Sequence, residues 1–368
     1  MKSIDLFSGA GGFSIGFKKA GFNTIKAVEF DKEIANTYKQ NNLEVKMYID
    51  DIRNIDIENE FYENESDIII GGPPCQGFSM AGSRIRKNFI DDERNYLFKH
   101  YFKIVQKVRP KMFIMENVKG ILTMQSGKII EEIKKIFSNP QNFDGNKYFL
   151  NIKKVNAKDF GIPQNRERII ITGILNTQIN FEKEWLNTKK QILLMNDDFF
   201  NKVTVWDAIS NLNDATTDGI VQIKQSESSY QKYISSKNKN YVYNHIKTNH
   251  SPKAIARIKK IASNENYLVL KEKINSVHSG SYGRLHKNGI SNTITTRFDT
   301  PSAGKYIHPL YDRTITPREA ARLQSFPDDY IFYGTKTSIT KQIGNAVPPK
   351  LSYFLGIFSR RILNEYFN

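Results

Sequence analysis

Apolar and polar positions follow two rhythms along the first 175 residues, and the switching between them predicts strands alternating with helices. Lys2 to Phe7 is a short β-prone run, broken by Ser8-Gly9-Ala10-Gly11-Gly12. Phe13 to Ala20 then has apolar residues at helical spacing, with Gly21 as a C-terminal stop. Thr24 to Phe30 reads as a second strand with Glu29 at its end, and Asp31 as the N-cap of a helix running to about Asn41. Val45 to Tyr48 is a third strand, followed by Asp50-Asp51. The runs Asp67–Ile70 and Lys111–Met115 read as buried strands, and Tyr96 to Val108 as a helix ended by Arg109-Pro110. Ile169 to Thr172 is a further strand. This alternation predicts an α/β fold with a doubly wound, mostly parallel sheet.

After Leu175 the rhythm fades. Residues 176 to 300 are rich in Asn, Lys, Ser and Tyr with weak periodicity, which predicts a smaller, irregular domain. Order returns at Thr316-Pro317-Arg318-Glu319, a capping box with proline at the first helical position, opening a helix through Leu323. Gln342 to Pro349 leads into an apolar-faced helix from about Lys350 to Tyr366. No internal repeat is visible.

Charge changes the picture first. The chain carries 54 Lys and Arg against 38 Asp and Glu, a net charge of +16. That excess favours a polyanionic partner through phosphate neutralisation and counterion release. No secretory leader pattern and no bilayer-length apolar run stands out, so the expected place of action is the cytoplasm, without a membrane. One cysteine in 368 residues excludes an internal disulfide and a cysteine-cluster metal site. His245 and His250 have no partners at zinc-ligand spacing, so no metal is expected.

That single cysteine, Cys75, has an unusual mount. Gly71-Gly72-Pro73-Pro74 turns the chain sharply after a buried strand and stiffens it before the thiol. The carboxyl end of a strand is where open α/β sheets bind ligands, and Cys75 is read as a nucleophile. The loop Phe7 to Gly12 lets a ligand approach the backbone near a helix N-terminus. Glu29 lies about twenty residues on, where an acid can bind ribose hydroxyls, and Asp51 is placed to take an adenine amino group. Together they indicate an adenosine-type cofactor, with NAD, FAD and S-adenosylmethionine all open. Residues 84–95 are polar and aperiodic, as suits a loop closing over the site. Glu116, at the end of an apolar strand, suits a hydrogen-bond donor or general acid. Arg166 and Arg168 share a side if the extended conformation has begun, ready for an anionic or carbonyl-rich ligand. Tyr230, Lys232, Tyr233, Lys237, Lys239, Tyr241, Tyr243 and Lys247 interleave rings with charge, a pattern fit for phosphates and bases.

Six stretches, taken in order, resemble the C5-cytosine DNA methyltransferases, especially the short bacterial enzymes of restriction–modification systems. They are Asp5 to Phe13, Gly72-Pro73-Pro74-Cys75-Gln76, Glu116-Asn117-Val118, Gln164 to Arg168, Arg318 to Pro327, and Gln342 to Pro348. They span nearly the whole chain. Arg284-Leu285 and Thr293-Ile294-Thr295 also look family-like. The resemblance implies a two-domain clamp on double-stranded DNA. Residues 1–176 with 342–368 would form the catalytic, Rossmann-like domain, and 177–341 the small domain, holding a target-recognition region at about 176–300. It implies S-adenosylmethionine as cofactor, leaving as S-adenosylhomocysteine. Phe7, Gly9, Gly11, Gly12, Glu29, Asp51, Ile52 and Asn345 would contact it, with Pro74 and Leu97 nearby. The cytosine would flip out of the duplex, at a cost of a few kcal/mol or so. Cys75 would attack C6, Glu116 would serve the N3 edge, and Arg166 and Arg168 would hold the base carbonyl, its phosphate or the motif itself. A monomer is expected, paired in function with a restriction endonuclease. The RNA-methylating branch carries a second cysteine in a Cys-Phe-Thr motif; this chain has none.

Overall fold

The computed structural model describes residues 1–74, 96–235, 240–270, 272, 274 and 279–367. Strand β1 (Lys2–Leu6) leads through the glycine loop into helix α1 (Gly12–Lys19), followed by β2 (Asn23–Val28), α2 (Lys32–Asn41) and β3 (Lys46–Tyr48). Asp31 caps α2 as expected, accepting from the backbone N–H of Glu33 at 3.0 Å and Ile34 at 3.3 Å. Next come the one-turn α3 (Ile57–Glu60), β4 (Ile68–Gly71), α4 (Tyr96–Val108), β5 (Met112–Val118) and α5 (Lys128–Ser138). Strands β6 (Tyr148–Asn156) and β7 (Glu167–Leu175) precede α6 (Phe181–Met195). The less regular stretch beyond holds α7 (Val205–Ile209), β8 (Val221–Gln222), α8 (Ser229–Ile234), β9 (Tyr241–Val242) and α9 (Pro252–Ile258). Helices α10 (Pro317–Leu323), α11 (Lys336–Asn345) and α12 (Pro349–Tyr366) close the chain.

Among the described residues seven strands form one sheet, in the order β3-β2-β1-β4-β5-β7-β6. Strands β1 to β5 pair in parallel, and β7 runs antiparallel to both β5 and β6. The mostly parallel sheet is therefore present. Ile68, Ile69 and Ile70 are fully buried, as the middle strand of such a sheet requires. The strand order reverses between β1 and β4, and a switch point of this kind opens a crevice at the carboxyl ends of the strands. Phe113 of β5, Phe137 of α5 and Tyr148 of β6 pack with ring centroids 4.4 to 6.1 Å apart. Fully burying each such ring contributes about 1.5–3 kcal/mol.

The chain divides into two compact units: Met1–Asn156 with Glu167–Asp197 and Ser352–Asn368, and Ala157–Arg166 with Asp198–Leu351. In the first, Trp185 of α6 packs against Phe354 and Phe358 of α12 at 4.6 and 5.5 Å. Ser352 Oγ donates to the Phe13 carbonyl at 2.5 Å, so the C-terminal helix is built onto α1.

The second unit has an ionic interior. Arg322 is fully buried and forks onto Asp328 at 2.8 Å while donating to Asn211 Oδ1 and the Ala208 carbonyl. The α10 capping box is present, and its Glu319 is also gripped by both Arg313 amino nitrogens at 2.9 Å. His308, 3% exposed, lies 3.5 Å from Glu319 and accepts from the N–H groups of Leu310 and Tyr311 through Nδ1. Burial lowers the pKa of His308 to about 4, with Arg313 adding to the shift and Glu319 opposing it. Burial likewise lowers His245 and His250.

An unfolded histidine titrates near 6.5, so below that pH the unfolded chain takes up protons that the folded chain refuses. The contribution of His308 is thus complete above about 6.5 and is lost as pH falls toward 4, on the order of 3 kcal/mol over the window. The pKa of Glu319 is lowered by Arg313 and His308 against its burial, so its contribution fades further below the ordinary carboxylate range. The melting temperature should therefore drop steadily from pH 7 to pH 4.5, and His308→Gln should flatten that dependence. Parallel, unflattened melting curves for the variant would show that His308 does not cause it.

Candidate active site

The loops after β1, β2 and β3 converge on a cavity of about 350 Å³. Phe7, Glu29, Asp51, Ile52, Pro74 and Leu97 line it, together with Val28, Phe30, Asp50 and Arg53. The backbone makes it possible. Phe7 leaves β1 with φ 57°, a conformation side chains resist, and Gly9 follows at φ 55°. That turn brings the Gly9 N–H to Glu29 Oε2 at 3.0 Å, while Glu29 Oε1 accepts from the Asp31 N–H at 3.0 Å. Both carboxylate oxygens are thereby oriented. Burial raises the Glu29 pKa, against backbone hydrogen bonds from Asp31, Gly9 and Phe30 that lower it. Gly11 caps α1 and Gly12 is its first residue. Asp51 sits at the cavity with its carboxylate held by Arg53 at 2.6 Å, and this bond keeps its pKa below the usual range.

The donor set suits an adenosyl group. Phe7, Phe30, Ile52, Pro74 and Leu97 offer apolar surface for a flat ring, and Glu29 and Asp51 offer acceptors for hydroxyl and amino protons. Phe30 is 69% exposed and Asp50 stands beside Asp51; neither was singled out from the sequence. An aromatic directly after the strand-end acid was the signal available for Phe30.

A second cluster forms where β4 and β5 end. Gly71 pairs with Met115, so Gly72 comes beside Glu116. A side-chain carbon placed on Gly72 would stand 3.6 Å from Glu116 Oε2. Asn117 Nδ2 donates to the Pro73 carbonyl at 3.0 Å in a buried bond, tying the end of β5 to the proline mount. Arg168 Nε lies 2.7 Å from Glu116 Oε1, and the two side chains are only 13% and 11% exposed. The N–H is not aimed along that oxygen, which is buried and takes no directed hydrogen bond among the described residues. Charge therefore holds the carboxyl in place. Cys75 lies outside the described residues, as do the loop 84–95, Lys237 and Lys239.

Arg166 has different partners from Arg168. Its guanidinium is 2% exposed and donates to the carbonyls of Ile294, Gly344 and Ala346 at 3.0 to 3.1 Å. The last two flank Asn345, the exposed final residue of α11, so Arg166 frames that position. The fit is close: a side-chain carbon on Gly344 would stand 2.5 Å from the Thr295 backbone. Gln164 joins the same network, donating to Gln324 Oε1 at 3.0 Å and accepting from the Ile294 N–H at 2.9 Å. No group of three or more His, Cys, Asp or Glu is placed to hold a metal among the described residues. None of the described helices is long and apolar enough to cross a membrane.

Known proteins resemble this chain in sequence and fold. A family model described as C-5 cytosine-specific DNA methylase matches residues 1–357. The chain is 34% identical over 355 residues to the Type II methyltransferase M1.HphI of Haemophilus parahaemolyticus, covering 95% of this chain and 84% of that one. Among solved structures, a prophage-encoded protein of E. coli assigned to DNA modification by methyl transfer superposes with a TM-score of 0.73 at 28% identity, over 99% of this chain and all of the other. The Dnmt2 methyltransferase of S. pombe, 14% identical with a TM-score of 0.63 over 98% and 99% of the two chains, shares the fold. A match over almost its full length, on a sheet whose strand ends assemble these two clusters, establishes that the chain belongs to the C-5 cytosine-specific DNA methylase family.

Proposed function

We propose that this protein methylates C5 of a flipped-out cytosine in a specific double-stranded sequence, with S-adenosylmethionine as donor and Cys75 as transient nucleophile. The observation that carries this reading is the junction of β4 and β5. There Gly72 and Pro73, which lead into Cys75, are packed against Glu116 and bonded to Asn117. When bound, S-adenosylmethionine supplies a methyl group activated by a sulfonium. Glu29 would accept from the ribose hydroxyls, Asp51 would take the adenine amino group, and Phe7, Phe30, Ile52 and Leu97 would line the ring, with Gly9, Gly11, Gly12 and Pro74 beside it.

The chain's own groups carry the remaining chemistry. The Cys75 thiolate adds to C6 of the base, which places electron density on C5. Glu116 serves N3, so the charge pushed into the ring meets a proton or a hydrogen bond. Arg168 acts through Glu116 by fixing its carboxyl, and Arg166 acts through the backbone around Asn345. After C5 has accepted the methyl group, a base or water removes the C5 proton and the C6–S bond breaks, restoring the thiolate. The second unit supplies sequence recognition, and the net charge of +16 offsets the cost of flipping through phosphate contacts. Relatives such as the Type II methyltransferase M1.HphI support a role beside a restriction endonuclease that cuts the same sequence.

Tritiated S-adenosylmethionine and bisulfite sequencing test this together. Label should enter duplex DNA, at one cytosine of a short sequence. Label entering transfer RNA instead, or no transfer at all, would overturn the proposal. Recognition is tested by exchanging residues 198–300 for those of a relative with another target. The junction is set after Asp197 because α6 packs on α12 through Trp185. The chimera should methylate the relative's sequence; a folded chimera that keeps the original target would refute the assignment of specificity.

A further inference from the structure

We propose that Arg53 is a positioning residue for the cofactor: it clamps the Asp51 carboxylate so that one acceptor place alone remains, and this sets a preference for a 6-amino over a 6-oxo purine. The inference rests on reading the cavity as the adenosyl site. Asp51 Oδ1 accepts from the Arg53 backbone N–H at 3.0 Å and from Arg53 Nε at 2.9 Å. Asp51 Oδ2 accepts from Arg53 Nη2 at 2.6 Å. A carboxylate oxygen has two lone pairs, so among the described residues Oδ1 is filled and Oδ2 keeps one.

The fork is planar and grips both oxygens, which fixes the carboxylate plane as well as its charge. Asp51 is also the N-cap of the short turn Ile52–Asn54, so the carboxylate and the guanidinium that holds it, 26% and 54% exposed, belong to one local turn. Both residues line the same cavity as Phe7 and Leu97. A carboxylate held in this way meets an amino N–H with its remaining lone pair. It meets a carbonyl oxygen with repulsion while the fork opposes its turning aside, and such a mismatch gives stronger rejection than an unrestrained acceptor does. Arg53 itself needs no contact with the cofactor for this effect.

The test uses the full chain and two probes, S-adenosylhomocysteine and S-inosylhomocysteine, whose dissociation constants are measured by calorimetry. The unaltered protein should prefer the adenosyl compound by at least about tenfold. Arg53→Ala should weaken adenosyl binding about three- to tenfold and shrink the preference, raising the cofactor KM more than it lowers kcat. Arg53→Lys should recover only part of the preference, because an ammonium cannot fork across both oxygens. A side chain that mattered only for folding would lower both affinities equally and leave their ratio intact, and that result would overturn the proposal. So would an Arg53→Ala protein with unaltered affinities, provided that Asp51→Ala loses adenosyl binding. If Asp51→Ala binds both compounds as the unaltered protein does, the adenosyl reading of the cavity falls, and the clamp falls with it.

Discussion

Duplex DNA carrying 5-fluorocytosine at the target position is expected to trap the protein in a denaturant-resistant complex, but only when S-adenosylmethionine is present. Cys75 is the chain's only thiol and directly follows Pro73-Pro74, whose first carbonyl is bonded to Asn117. The proposed route needs a bond from its sulfur to C6, which is normally transient because loss of the C5 proton lets the sulfur depart. Fluorine cannot leave as a cation, so after methyl transfer the adduct should persist. Peptide mapping should place the linkage at Cys75. Cys75→Ala should lose at least about four orders of magnitude in rate and form no complex. It should still bind DNA and cofactor, since neither depends on the thiol. Methylation by this variant at a rate near that of the unaltered protein would sink the nucleophile assignment.

Glu116→Gln is expected to slow the chemical step about a hundredfold or more while leaving cofactor affinity in place. A hundredfold loss is about 2.7 kcal/mol of transition-state stabilisation. Glutamine keeps the shape and one acceptor oxygen but cannot give up a proton, and it removes the charge that Arg168 holds at 2.7 Å. Glu116 is not among the residues lining the cavity around Phe7 and Asp51, so cofactor binding provides the internal control. Single-turnover rates are the measurement, because product release can mask a slower chemical step. Rates equal to those of the unaltered protein would demote Glu116 to a strand-end residue.

The parts of this site that were legible in the sequence are those created by local chemistry. Asp31 and Thr316 announce their helices because an N-cap needs only a side-chain oxygen and the next turn of backbone. Glu29 and Asp51 were legible because parallel strands deliver the loops at their carboxyl ends to one edge of the sheet. Strand β6 was not legible. It is an edge strand with mostly half-buried residues and adjacent Lys153 and Lys154, so it shows neither strict alternation nor a continuous apolar run. Helix α5 carries Ile129, Ile130, Ile133, Ile136 and Phe137 on its buried face, a helical period present in the sequence.

Arg166 and Arg168 show what sequence alone could not decide. Two arginines two residues apart share a side in an extended chain, and the sequence left open whether they hold a ligand or the motif itself. The chain changes units between them: Arg166 closes one segment and turns its guanidinium to the carbonyls around Asn345, and Arg168 lies on β7 against Glu116. The sequence by itself determined the α/β class, the mostly parallel sheet and the family, because strand burial, helix capping and glycine turns depend on neighbours a few residues away. Only the tertiary structure decided that Asn117 braces the Pro73 carbonyl, that Arg53 holds Asp51, and that Gln164, Arg166 and Gln324 share one buried hydrogen-bond network. The physical reason is that a guanidinium or amide is satisfied by whichever acceptors the fold brings within 3 Å or so, and acceptors up to 180 residues away leave no local trace.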